Sequence, residues 1–289
     1  MYRIAILGCE NSHATNFLKL IEAGYYPDIC VAGIYSNEPE AVEKLHDQFG
    51  VPVMQDYGDL AGQVDGVMIT ARHGDNHYRY AKPYMNDGIP MFIDKPIACS
   101  ETEAVEFMRE AKAKGIRLCG GSTCAALPST LALADAVQNE TLGEIRGGAL
   151  ACPLQSYSPY GGFYFYASHL VEIMLKIFGE EVREVLADHR GETFPFMAHY
   201  DNFNVMSTYL DHGKYYVASV YGALASQTEQ LKLVSPDSFL HEMNDMLDLL
   251  QGKDMKKSYE SFIRPVFVMN AILRSLESGK WEPLNPIEI

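Results

Sequence analysis

Over roughly the first 120 residues, short apolar runs alternate with amphipathic stretches of helical period, and this alternation restricts the fold more than any other feature. Each run reads as a strand buried on both faces, and each stretch as a helix that carries the chain back to a parallel neighbour. Arg3 to Gly8 (RIAILG) is the first strand. A helix follows from about Ser12, with Ala14, Phe17, Leu18 and Ile21 on one face and Gly24 ending it. Ile29 to Tyr35 (ICVAGIY) is the second strand, and Pro39 to Phe49 its helix, with Ala41, Leu45 and Phe49 inward. Gly66 to Thr70 and Pro90 to Ile93 are further strands, separated by a helical stretch that Gly88 closes. Ser100 and Glu103 stand at capping-box spacing ahead of a helix carrying Ala104, Val105, Phe107, Met108 and Ala111. Gly115 ends that helix, and Ile116 to Cys119 supplies the last strand. The spacing therefore predicts an α/β domain over residues 1–120, a doubly wound parallel sheet.

Beyond Gly120 the pattern changes. Lys214 to Tyr221 (KYYVASVY) and Gln230 to Val234 alternate as half-buried strands do, with helical segments near Ser129 to Val137, His169 to Phe178 and Phe239 to Leu250. This predicts a second, α+β domain over residues 121–289, an open, mainly antiparallel sheet with helices on one face. A final helix, roughly Ser261 to Ser278, places Phe262, Val266, Met269, Leu273 and Leu276 on one face, with Pro265 in its first turn or at a kink. That helix is also free to pack back on the first domain.

The 23 basic and 38 acidic side chains leave a net charge of −15. Such a field repels phosphate backbones and anionic lipid, so neither nucleic acid nor a membrane surface is an expected partner. A small neutral substrate remains allowed, as does a nucleotide held by backbone N–H groups. The six cysteines show no C-x-x-C spacing and no neighbouring histidine pattern, as expected of reduced thiols in a cytoplasmic protein with no metal site. The apolar start is stopped by Glu10, too soon for a secretory signal, and no segment approaches the roughly 18 apolar residues of a membrane span.

A strand followed directly by Gly8 and a helix is where a dinucleotide's pyrophosphate would rest. In the G-x-G-x-x-G fingerprint those positions are Gly8, Glu10 and His13, so only the first glycine is kept. A carboxylate at the second position repels phosphate unless it points away; Ser12 and His13 can compensate in part, and Asn11 joins them as a cofactor-side candidate. The end of the second strand, where a carboxylate would accept from the ribose hydroxyls, reads Tyr35, Ser36, Asn37. Glu38 comes one step late and no arginine is near in sequence, so NAD and NADP both stay open.

The run from Asp65 to Ala98, with Thr70 and His77 in a strand-and-turn and Asp94-Lys95-Pro96 closing the next strand, resembles the glucose–fructose oxidoreductase, inositol dehydrogenase and rhizopine-catabolism family (Gfo/Idh/MocA). That family has Glu where Asp94 stands. Gly143-Glu144-Ile145, the segment Gly161 to Gly179 with its H-x-x-[DE] step at His169, and the ending SLESGK from Ser275 to Lys280 are also similar. The resemblance implies a Rossmann domain, a C-terminal domain on an open antiparallel sheet whose free face forms a dimer or tetramer interface, and NAD(P) held by Gly8, Glu10, Asn11, Ser12, His13, Ser36, Asn37, Thr70, Ala71, His77, Asp94 and Lys95. It implies His77 on the nicotinamide side and His169 as acid/base. The family's aspartate four residues before that histidine is Phe165 here, so the imidazole's usual holder is missing. Lys95, at the carboxyl end of a parallel strand, can hold the substrate oxygen, with Pro96 fixing its backbone.

Tyr157, Tyr160, Phe163, Tyr164, Phe165 and Tyr166 crowd around Gly161 and Gly162. Such a loop suits stacking on the apolar face of a sugar or cyclitol, with Tyr157, Tyr164 and Tyr166 supplying phenols; equally, it packs an interdomain seam. Pro128 follows a segment similar to the family's crossover, but the arginine often found there is replaced by Cys124 or Ala125, so an anchor for anionic substrates is missing. The expectation is an NAD(P)-dependent oxidoreductase acting on a sugar, polyol or related carbonyl. The alternative is a catalytically silent sensor of a nucleotide or metabolite, or a partner-binding subunit, since Glu10, Ser36 and Phe165 depart together.

Overall fold

The computed structural model describes residues 1–289. In chain order the elements are β1 (Tyr2–Leu7), α1 (Ser12–Glu22), β2 (Ile29–Tyr35), α2 (Pro39–Phe49), β3 (Gly66–Ile69), α3 (Asp75–Ala81), β4 (Met91–Asp94), α4 (Glu101–Ala113) and β5 (Leu118–Gly121). There follow α5 (Pro128–Gln138), β6 (Ile145–Leu154), α6 (Phe163–Phe178), β7 (Glu184–Ala187), β8 (Thr193–His199), β9 (Asn204–Asp211), β10 (Tyr216–Gly222), β11 (Ser226–Leu231), α7 (Leu240–Leu250), α8 (Tyr259–Ser278) and β12 (Glu282–Pro283). They form two compact units, Met1–Gly121 with Val234–Phe262 and Ile289, and Ser122–Leu233 with Ile263–Glu288.

In the first unit the parallel sheet has the order β2-β1-β3-β4-β5. Beyond β2 a further parallel neighbour survives as the single bridge Ile34–Val53, closed by bonds from Ile34 N–H to the Pro52 carbonyl (2.9 Å) and from Met54 N–H to the Ile34 carbonyl (3.0 Å). With it, the sheet follows the six-strand doubly wound order, one edge strand being reduced to one residue. Alternate strand residues serve opposite faces. Ile4, Ile6, Met68 and Phe92 enter a core with Phe17 and Leu20 of α1 and Val42 and Leu45 of α2, while Ala5, Leu7, Val67, Ile69 and Met91 between them are equally buried. On α2 it is Val42 and Leu45 that are buried; Ala41 and Phe49 are only partly so. The same core takes in Phe239, Met243, Met246 and Leu249, on and just before α7, so a segment from late in the chain completes the first unit.

Ser100 caps α4 by accepting the Glu103 N–H at 3.2 Å. The Glu103 carboxyl turns to Asp75, and its pKa is raised by burial and by that carboxylate.

Where β1 ends, Gly8 has φ +80, and a Cβ built there would stand 2.3 Å from the Ala71 backbone beyond β3. Only a residue with no side chain allows the two strand ends to come this close. Gly8→Ala is therefore expected to cost about 3 kcal/mol or more, from backbone strain together with the clash. Urea unfolding measures it, and a variant as stable as the parent would show that the crossing relaxes.

In the second unit the sheet order is β11-β10-β6-β9-β8-β7-β12, antiparallel except for the β6–β9 pair. Leu150, Cys152 and Leu154 of β6, Val205 and Tyr209 of β9 and Ala218 and Val220 of β10 are buried, as are Leu170, Ile173, Met174 and Ile177 of α6. At Gly148 an added Cβ would lie 2.1 Å from the Phe178 ring, so this glycine lets helix and sheet pack closely. The alternate residues are more open: Val217 is half-buried, and Met206 is 55% exposed. Helix α6 starts at Phe163 rather than His169, because the aromatic cluster itself continues the apolar helical stripe. From Ile263 on, α8 belongs to this unit, and Pro265 falls beyond its first turn. No helix is long and apolar enough to cross a membrane.

Candidate active site

The Gly8 turn is built from backbone. The N–H groups of Gly8 and Cys9 both donate to the Tyr35 carbonyl (2.8 and 3.0 Å), and Thr70 donates through N–H to the Leu7 carbonyl (2.7 Å) and through its hydroxyl to the Gly8 carbonyl (3.0 Å). Thr70 and Ala71, both fully buried, thus act as the frame of the turn. Helix α1 opens behind it with an extended Asn11, no side-chain cap and no acidic residue in the first turn. The positive end of its dipole therefore carries no side-chain cap and favours an anion. Glu10 does not cap it: its carboxylate accepts from the Ser36 hydroxyl at 2.6 Å and from the Arg72 N–H at 3.0 Å. The Ser36 hydroxyl also accepts the Glu38 N–H (3.0 Å), and Asn37 accepts from the Tyr35 phenol (2.7 Å). A helix start without a side-chain cap behind a side-chain-free turn, with the Glu10 carboxylate turned aside, fits a dinucleotide pyrophosphate.

Asn11 and His13 are drawn inward. Asp94, fully buried at the end of β4, accepts from the Asn11 amide (2.7 Å) and the Lys95 N–H (2.6 Å), and His13 Nδ1 lies 3.2 Å away. The His13 ring is buried among Phe17, Phe92 and Phe239, with its Nε2 3.6 Å from Glu242. Burial lifts the Asp94 carboxyl to about 6, with His13 and Lys95 opposing, and burial also lowers His13. Lys95 is only 4% exposed, and its charge acts on Asp94, His13 and His77. The Lys95–Pro96 peptide is cis.

His77 was expected to face the nicotinamide. It is fully buried instead, with Nδ1 2.8 Å from the Pro96 carbonyl and Nε2 2.9 Å from the Ala71 carbonyl, so it ties the loop after β3 to the loop after β4. Burial pushes it down to about 4, although the two carbonyls favour the protonated ring. An unfolded imidazole takes its proton near 6.5, so the stability His77 contributes is full above that pH and is lost as pH falls toward 4, by up to about 3 kcal/mol. Asp94 acts in the opposite sense: its pKa is raised, so its contribution is present below the ordinary 3.8 and is lost as pH rises through about 6. His77→Gln should flatten the fall in Tm that wild type shows between about pH 6.5 and 4. Parallel Tm curves for the two proteins would contradict this assignment.

In the second unit α6 presents His169 and, one turn on, Glu172. The Ser122 hydroxyl lies 2.7 Å from His169 Nδ1, and the Ser122 N–H donates to Glu172 at 2.8 Å. The same hydroxyl accepts the Cys124 N–H at 3.2 Å, which leaves its proton free to reach Nδ1. Ser122 thus sits directly beside the imidazole, and Phe165, four residues before His169, packs with Tyr160 and Tyr166 at ring distances of 5.4 and 5.1 Å. Tyr166 and Tyr216 meet the His169 ring edge-on at 5.6 and 6.1 Å. The Tyr164 phenol donates to Asn270 (2.9 Å), Phe163 to Tyr166 lie on α6, and Tyr157 is 95% exposed. Sequence reasoning missed Ser122 and Tyr216; Glu172 was visible in the H-x-x-[DE] step but had no role, and Ser122 carries no local signal. Ser122→Ala should cost about 1–3 kcal/mol by stripping a buried ring nitrogen of its partner. It should also move the His169 proton titration followed by NMR, whereas Ser122→Thr should preserve it.

Residues 2–121 match the model of an oxidoreductase family described as having an NAD-binding Rossmann fold (GFO_IDH_MocA). No curated protein matches the chain in sequence. Similar solved structures include a myo-inositol dehydrogenase from Corynebacterium glutamicum (15% identity, covering 99% of each chain, TM-score 0.83) and an apo scyllo-inositol dehydrogenase from Lactobacillus casei (15%, 98% of each chain, 0.83). Another is the WlbA dehydrogenase from Chromobacterium violaceum in complex with NADH and UDP-GlcNAcA (16%, 100% of this chain and 97% of that one, 0.81). At these identities the structures establish a shared fold across the whole chain. Residues 2–121 are thus similar to the NAD-binding Rossmann fold of the Gfo/Idh/MocA oxidoreductases, and the chain as a whole shares its fold with inositol and sugar dehydrogenases.

Proposed function

We propose that this protein is a dehydrogenase or reductase that moves a hydride between a nicotinamide dinucleotide and a sugar, polyol or related carbonyl compound. The observation that carries the reading is the pairing, in one unit, of an uncapped helix start behind Gly8 with a buried lysine at the carboxyl end of β4, where open α/β sheets bind their ligands. When bound, the nicotinamide supplies the hydride acceptor or donor. Lys95 holds the substrate oxygen and steadies its charge as the C–H bond breaks. Asp94 fixes the backbone on which Lys95 stands, through its bond to the Lys95 N–H. In the second unit His169 is the proposed proton carrier, with Ser122 setting its tautomer in place of the absent aspartate.

A silent sensor is the weaker reading, because Glu10 turns away from the α1 amides and Ser122 stands in for the carboxylate missing at Phe165. Polyol and sugar substrates are also what the printed names of the inositol dehydrogenase neighbours suggest.

We infer further that the half-open sheet face bearing Met197, Met206 and Val217 joins copies of this chain as a dimer or tetramer, and that the six free cysteines fit work in the cytoplasm. Light scattering should report an oligomer in wild type and a monomer for Met206→Glu.

A screen of polyols and keto-sugars with both NAD(H) and NADP(H) tests the main reading. Lys95→Ala should lower kcat/KM on the substrate found by more than about tenfold, the low end for acid/base groups being larger still. A smaller drop would remove Lys95 from the chemistry, and failure to bind either nucleotide at millimolar concentration would remove the dehydrogenase.

A further inference from the structure

We propose that Glu10 reads the adenosine ribose and makes this chain select NAD over NADP; this rests on the dinucleotide-binding reading above. In doubly wound sheets that task falls to a carboxylate at the end of the second strand, about 20 residues past the glycine turn. Ser36 occupies that place here. The structure brings a carboxylate to the same strand end from the opposite direction: Glu10 Oε2 accepts from the Ser36 hydroxyl at 2.6 Å, while Oε1 accepts from the Arg72 N–H at 3.0 Å.

The carboxylate is thus pinned between the ends of β2 and β3 and pays little ordering cost when a ligand arrives. Each oxygen retains acceptor capacity after its one bond, enough for the two ribose hydroxyls. A 2′-phosphate at the same place would set a second anion against a fixed one.

Two arginines stand in this neighbourhood. The Arg79 guanidinium lies 5.2 Å over the Tyr57 ring and its charge acts on Tyr35, and Arg72 offers Glu10 its backbone N–H. Neither displaces Glu10 from Ser36, so the group at the ribose-reading position is anionic. The loss of the second fingerprint glycine and the loss of the strand-end acid then have one explanation, the transfer of a carboxylate from one position to the other.

Isothermal titration of the full chain with NADH and with NADPH tests this, using wild type, Glu10→Gln, Glu10→Gly and the double variant Glu10→Gly/Ser36→Asp, each shown to be folded by its melting curve. Wild type should bind NADH at least about tenfold more tightly than NADPH, since opposed like charges disfavour the wrong partner. Both single variants should lose most of that ratio, chiefly by weaker NADH binding, and the double variant should regain it. An unchanged ratio in the single variants, or a wild-type preference for NADPH, overturns the assignment. So does a large, equal tightening of both nucleotides on removing Glu10, which would make it an obstruction. Absence of binding by all four proteins overturns the dinucleotide reading itself and this assignment with it.

Discussion

The first unit depends on how closely the end of β1 can approach the chain leaving β3. Gly8 stands where even a methyl group would overlap the Ala71 backbone, and the amides and carbonyls around it are tied to Tyr35 and Thr70. Because that crossing is made of backbone, its geometry is stiff. The uncapped start of α1 and the strand ends carrying Ser36 and Arg72 are all positioned from it.

Around this frame the polar groups divide into two sets. One is buried and holds the scaffold: His77 between two carbonyls, and Asp94 gathering Asn11, His13 and the Lys95 backbone. Burial moves Asp94 up and His13 and His77 down, in each case toward the neutral form, as a low-dielectric setting demands. The other set, Glu10, Ser36 and Lys95 in the first unit and Ser122 and His169 in the second, holds the groups to which the proposed function assigns ligand chemistry; all but Glu10 are buried as well. Asn11, His13 and His77, whose places in the motifs mark them as cofactor contacts, are buried within this scaffold, and Asn11 and His77 are tied into it by hydrogen bonds.

Legibility in the sequence differs between these sets for a physical reason. Apolar period and glycine punctuation act over a few residues, so β2 and α2 are found at their expected bounds, and Gly24, Gly88 and Gly115 each close a helical stretch with positive φ. The start of α6 was misplaced because a run of tyrosine and phenylalanine satisfies a loop and a helix equally until its packing partners are known. Tyr164 finding Asn270 and Tyr209 finding the Ala167 carbonyl are long-range events.

The sequence by itself determined the parallel α/β start, the antiparallel second half, the glycine at the first turn and the family likeness around Thr70, His77 and Asp94-Lys95-Pro96, since each is written in neighbouring residues. Only the tertiary structure decided that α7 completes the first unit, that His13 and His77 are buried, that Ser122 holds His169, and that Glu10 lies beside Ser36. The pairings of Glu10 with Ser36, of Ser122 with His169 and of the chain after α1 with α7 join residues from 26 to more than 200 positions apart, and a contact across such a separation exists only once the strands between them have been ordered.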